Sequence, residues 1–149
     1  MNVNLTFDTV EKVLHIADVH IRNYNRHKEY RQVFRKLYKA AKKLPTNSLI
    51  YVAGDIVHTK TDISPELVQM VSEFLNNLAK IRPTVIIAGN HDANLNNSSR
   101  LDALTPIVEN LNNDNLYYLK DSGIYTFADI DFIVYSILEN SDSWPNTKD

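Results

Sequence analysis

The sequence contains no cysteine and only three glycines among its 149 residues. The first absence removes disulfides and thiolate metal sites, and it fits a reducing compartment. The shortage of glycine leaves little room for Gly-rich phosphate loops, which argues against P-loop and dinucleotide-binding readings. No apolar run approaches the ~18 residues of a membrane helix. Met1 is not followed by a basic-then-apolar signal segment, so the expected setting is the cytoplasm, with no membrane contact. An excess of one charge is also missing, since the net charge is -2 and the pI about 6.2. Bulk charge therefore gives no push toward nucleic acid. Internal repeats and low-complexity linkers are absent too. What remains is globular material, 44% hydrophobic and 23% charged, enough for one domain or part of one.

The chain alternates strand and helix patterns. Val13 to Ala17 is a short apolar run ending at Asp18 and reads as a buried strand. Residues 28–44 place Tyr30, Val33, Phe34, Leu37, Tyr38, Ala41 and Leu44 at helical spacing. Leu49 to Ala53 is a second strand, ending at Gly54-Asp55. Ser64-Pro65 opens a second helix as N-cap and first turn, with Leu67, Val68, Val71, Phe74, Leu75 and Leu78 as its buried face. Thr84 to Ala88 is a third strand, ending at Gly89-Asn90-His91-Asp92. A loop from Ala93 to Ser99 leads to a shorter helix over 100–111. Strands follow at 116–119, 123–127 and 130–137, the last two forming a hairpin about Ala128-Asp129. The β-α-β-α-β order implies an α/β fold with parallel strands and helices packed on a face.

Each of the first three strands ends in polar residues: Asp18-Val19-His20, then Gly54-Asp55 with His58, then Gly89-Asn90-His91-Asp92. Parallel strands share one C-terminal edge, so these loops converge. Asp18 and His20 are two apart, so an extended segment points both to one side. Carboxylate, imidazole and amide oxygen together suit Mn²⁺, Fe²⁺ or Zn²⁺ better than Ca²⁺. Taken singly, Asp-x-His is common by chance and Gly-Asp or Gly-Asn-His-Asp reads as a turn. Their succession at three strand ends is what points to chemistry. His15, inside the first strand, reads as a core or supporting histidine, and His27 as a surface one.

These motifs resemble the calcineurin-like metallophosphoesterases. The chain is most similar to DNA repair nucleases of the Mre11/SbcD type. The residues that carry the likeness are Leu14-His15-Ile16-Ala17-Asp18-Val19-His20, Gly54-Asp55-Ile56-Val57-His58, Ala88-Gly89-Asn90-His91-Asp92 and Ser99-Arg100-Leu101. The resemblance implies the N-terminal half of a four-layer α/β/β/α sandwich, with a mostly parallel sheet and flanking helices. Residues 1–149 would be the N-terminal portion of a single nuclease domain whose C-terminal part is missing. It implies two divalent metal ions, Mn²⁺ first among them, with Asp18 and His20 on one, Asp55 bridging and Asn90 on the other. His91 would be the catalytic histidine, oriented by Asp92, with His58 as a second functional histidine. The reaction implied is two-metal hydrolysis of DNA phosphodiesters in double-strand break repair or recombination, as exonuclease or endonuclease. A Rad50/SbcC-type ATPase subunit and a homodimer are the partners it implies. A phosphatase or small-molecule phosphodiesterase of the same superfamily is the alternative, as is an incomplete fragment that only binds. The family carries further histidine ligands in its C-terminal half, and no histidine follows His91 here. The 17 asparagines are in keeping with a viral or phage variant, for which the compartment would be the nucleus or virus factory of a host cell.

Residues 22–43 hold nine basic groups and one acid, Glu29, so this segment is +8 within a chain of -2. Arg22, Arg26 and Lys28 follow the first ligand loop and are the candidates for contacting DNA phosphates. For the helical remainder the spacing favours a solvated face, with lysine stems covering apolar surface.

Overall fold

A computed structural model describes residues 1–59, 61–95 and 100–146. The four strands β2 (Lys12–Ile16), β3 (Ser48–Ala53), β4 (Thr84–Ile87) and β5 (Leu116–Tyr118) form one sheet in that order, parallel throughout. The helices α1 (His27–Ala41), α2 (Pro65–Ala79) and α3 (Thr105–Leu111) are the crossovers between them. A second sheet has the order β1-β6-β7, from Asn2–Val3, Gly123–Phe127 and Ile130–Val134. The hairpin β6-β7 is antiparallel, with Phe127 opposite Ile130 at its tight end.

Alternation along the strands builds two cores. Leu14, Ile16, Ile50, Val52 and Ile86 face the helices and pack with Phe34, Leu67, Phe74, Leu75 and Leu78. Leu49 and Val85 point the other way and meet Phe127 and Val134 of the second sheet. The order of layers is therefore helices, sheet, sheet. This is the α/β architecture read from the sequence, with helices on one face of a parallel sheet. Among the described residues no α-helix covers the outer face of the β1-β6-β7 sheet, where Ile124 and Ile133 lie side by side and exposed.

Several boundaries differ from the sequence reading. Helix α3 starts at Thr105, with Pro106 in its first turn, because Asp102 spends its carboxylate on the amides of Leu104 and Thr105. Strand β7 stops at Val134 and does not reach Ile137. Val68 is 37% exposed and lies off the buried face of α2. His15 is not a core group: it is exposed, with its ring against Tyr51. The two-residue strand β1 was not anticipated. The Ser64 cap holds as expected, its hydroxyl accepting from the Leu67 amide at 3.2 Å. Part of the Ala93–Ser99 loop, and the end of the polar tail, fall outside the described residues.

Candidate metal centre

The strands β2, β3 and β4 end side by side, and backbone hydrogen bonds carry their register on into the loops. His20 and Ile21 donate their amides to the carbonyls of Asp55 and Ile56, each at 2.9 Å, and His58 N–H donates to the Ile21 carbonyl at 3.0 Å. The first two ligand loops are thus zipped together beyond the sheet. Within them the chain is tightly bent. Asp18, His20 and Asp55 all have positive φ, at 54°, 49° and 51°. Such backbone is costly for residues with side chains and concentrates at sites that need a fixed side-chain direction.

Glycine sets the approach of the second and third loops. Gly54 has φ 77°, and a Cβ there would lie 2.7 Å from the Gly89 nitrogen. A Cβ on Gly89 would lie 2.1 Å from Asp55 Oδ1. The two glycines therefore stand back to back and let Asp55 reach the third loop, where its Oδ1 accepts the His91 amide at 2.9 Å.

Two overlapping donor groups result. Asp18, His20 and Asp55 form one, and His20, His58 and His91 the other, with all candidate ligand atoms of each group within 4.8 Å of one another. His20 Nε2 lies 3.6 Å from Asp18 Oδ1 and 3.8 Å from Asp55 Oδ2. Asp18 is open to solvent, whereas the Asp55 side chain is only 15% exposed. The rings of His20 and His91 meet edge on at 4.6 Å, and those of His58 and His91 stack at 5.8 Å. Asn90, His58 and His91 line a cavity of about 270 Å³ together with Thr59 and Thr61.

The donor set fits a divalent cation. Two carboxylates and three imidazoles converge, and the buried Nδ1 atoms of His20 and His58 have no hydrogen-bond partner. A buried polar atom left unpaired is costly unless something else engages it. His58 has its pKa pushed down, first by desolvation, then by Arg22 and by its two histidine neighbours. That favours the neutral ring, the form that can ligate.

The expectation that Asp92 orients His91 does not match the geometry. His91 Nδ1 meets the carbonyl of His58 at 2.7 Å. Asp92 is fully buried and faces away, accepting from the amides of Ile56 and Val57 at 2.9 Å and of Gly89 at 2.8 Å. Burial raises its pKa, and these amides partly offset that. Its carboxylate is a clamp between the second and third loops. The His58 carbonyl, through Nδ1–H, leaves His91 Nε2 as the acceptor. Sequence reasoning also missed Tyr30, whose hydroxyl donates to the His20 carbonyl at 2.6 Å and braces the first loop from α1. A tyrosine on a helix gives no sequence signal of that contact.

Arg22, Arg26 and Lys28 are all exposed. Arg22 lies beside His58, and its carbonyl meets the His27 ring at 2.5 Å. Arg26 is the αL residue capping α1, with φ 62°, and borders an apolar cleft beside Tyr30.

A family model described as calcineurin-like phosphoesterase matches residues 11–147. The chain is 46% identical over 134 residues to uncharacterized protein R555 of Acanthamoeba polyphaga mimivirus, an alignment covering 88% of this chain. The chain spans about 10% of the length of that relative. A domain match over nearly the whole chain, on a fold whose three strand-end loops gather these donors, leaves one assignment: the chain belongs to the calcineurin-like phosphoesterase family.

Proposed function

We propose that this chain contributes the metal and histidine half of a phosphodiesterase site that cleaves DNA, in the manner of the repair nucleases its motifs resemble. One observation carries this reading. The His58 carbonyl fixes the ring of His91, which meets the His20 ring edge on, and His20 is the donor shared with Asp18 and Asp55. Asp18, His20 and Asp55 would hold one divalent ion, and Asp55 with Asn90 would hold a second. Mn²⁺ suits this mixed oxygen and nitrogen set. When bound, the ions neutralise charge on the phosphate and supply an activated water. The protein's own part is positioning. The His58 carbonyl holds one tautomer of His91, so its Nε2, once protonated, can donate to a phosphate or leaving oxygen. The Asp92 clamp keeps Asp55 and His91 in register, and Arg22 supplies an exposed cation near His58 for a phosphate.

The test is nuclease assay of the full-length protein on linear duplex DNA with Mn²⁺, alongside bis(nitrophenyl) phosphate. DNA cleavage that disappears in Asp55→Asn is the expected result. Cleavage of the small diester with DNA left intact would refute the nuclease reading. Unimpaired DNA cleavage by Asp55→Asn would refute the site.

A further inference from the structure

We propose that the outward face of α1 is a phosphate-backbone track that carries nucleic acid from the metal edge down the side of the domain. This deepens the proposed function, on which it rests for the identity of the substrate.

Lys28, Arg31, Arg35, Lys39 and Lys42 follow one another at spacings of three and four residues, so they form one stripe along α1. All five are exposed. Only Arg31 has an acidic partner among the described residues, Glu73 of α2. Lys28, Arg35, Lys39 and Lys42 form no ion pair there. The core-facing side, with Phe34 and Ala41, is buried against α2 and the sheet, and the stripe flanks it on the side where Arg31 and Arg35 border α2. A helix that merely needed a soluble surface would mix both signs of charge. Here the segment 22–43 is +8 while the chain as a whole is -2.

Position supports the same conclusion. The chain leaves the His20 loop, passes Arg22 and enters α1 at His27, so the stripe begins at the metal edge. As a crossover between parallel strands, α1 then runs back toward the other end of the sheet. From Lys28 to Lys42 the rise is about 21 Å. One DNA strand places about six phosphates along that length. An anionic membrane is the less suitable partner, because a helix lying on lipid must bury its apolar face there. In α1 that face is already used by the core.

The experiment measures binding of a fluorescent DNA duplex across a salt series, in EDTA so that nothing is cleaved. The full-length protein is compared with its Arg35→Gln/Lys39→Gln/Lys42→Gln variant. These side chains are exposed and lie on the later turns of α1 and at its C-cap, past its start at the metal edge, so melting temperature and small-diester hydrolysis with Mn²⁺ should match the wild type. The expected result is weaker binding and a log–log salt slope shallower by about 3, about one per contact removed. An unchanged slope overturns the track, even if the wild type cleaves DNA and the nuclease reading stands. A wild type that binds DNA with a slope lost in the variant, yet cleaves none, keeps the track and refutes the nuclease. Lost binding to phosphatidylserine vesicles with DNA binding intact would also overturn the track, in favour of a lipid surface.

Discussion

Replacing Gly89 by alanine tests whether the site depends on the close approach of the two glycine turns. The added Cβ would sit 2.1 Å from Asp55 Oδ1 and 2.3 Å from the Asp55 nitrogen. The carboxylate could rotate away, but the backbone nitrogen cannot. The second loop must therefore move by about 1 Å, a scale at which binding and catalytic geometry are lost. Overpacking of this kind costs about 1–3 kcal/mol. For a chain of this size the melting temperature should fall by about 3–10 °C. The shift also breaks the 2.9 Å bond from the His91 amide to Asp55. Mn²⁺ affinity, followed by calorimetric titration, should drop by about 10- to 100-fold. Gly123→Ala is the control: its nearest neighbour would be Tyr125 Cε2 at 3.5 Å, an ordinary contact. That variant should be neutral or slightly stabilised. If Gly89→Ala melts and binds Mn²⁺ like Gly123→Ala, the back-to-back argument is wrong.

Asp92→Ala should leave three amides without their acceptor, two of them buried, and lower stability in urea titration by about 3 kcal/mol, with far less effect from Asp121→Ala on the exposed surface. Asp102 gives a pH signature. Burial alone would raise its pKa, but hydrogen bonds from Thr105, Tyr118 and Lys120 outweigh this and hold it below the usual value. Its stabilisation is therefore complete above the unfolded pKa of about 3.9 and lost as pH falls through the lower folded value. The melting-temperature gap between wild type and Asp102→Asn should be constant near neutrality and shrink below about pH 4. Mn²⁺ at about 100 times its Kd should stabilise the protein by about 2.7 kcal/mol, and Asp18→Ala should abolish that gain in thermal melts.

The ligand loops were readable because each interrupts an apolar strand with groups that do not belong in a core. Asp18, Gly54-Asp55 and Gly89-Asn90-His91 stand out for that reason, and the parallel topology then brings them together. The direction of Asp92 was not readable. A carboxylate beside a catalytic-type histidine looks like its partner in sequence, yet three backbone amides from two loops compete for it, and they win. Those donors are 36, 35 and 3 residues away, so only the folded chain reveals them. The start of α3 had an unused signal: Thr105-Pro106 places a proline in the first turn, and Asp102 three residues before Thr105 is a capping group. Strand β1 could not be read, because two residues carry no period; it is defined by its pairing with Thr126 and Phe127.

The zipped loops have a consequence for how the protein is made. Asp92 reaches Ile56 across 36 residues, and Tyr30 reaches His20 across 10. The brace on the first loop is local, while the clamp on Asp55 needs α2 and β4 already docked. Loop-closure entropy must be met before such distant contacts form. During synthesis Asp18 and His20 emerge first, braced but without Asp55 held in place. The relative placement of the three loops is therefore completed late, after β4 has paired, and a chain stalled before Asp92 would lack the contacts that hold Asp55 against the third loop.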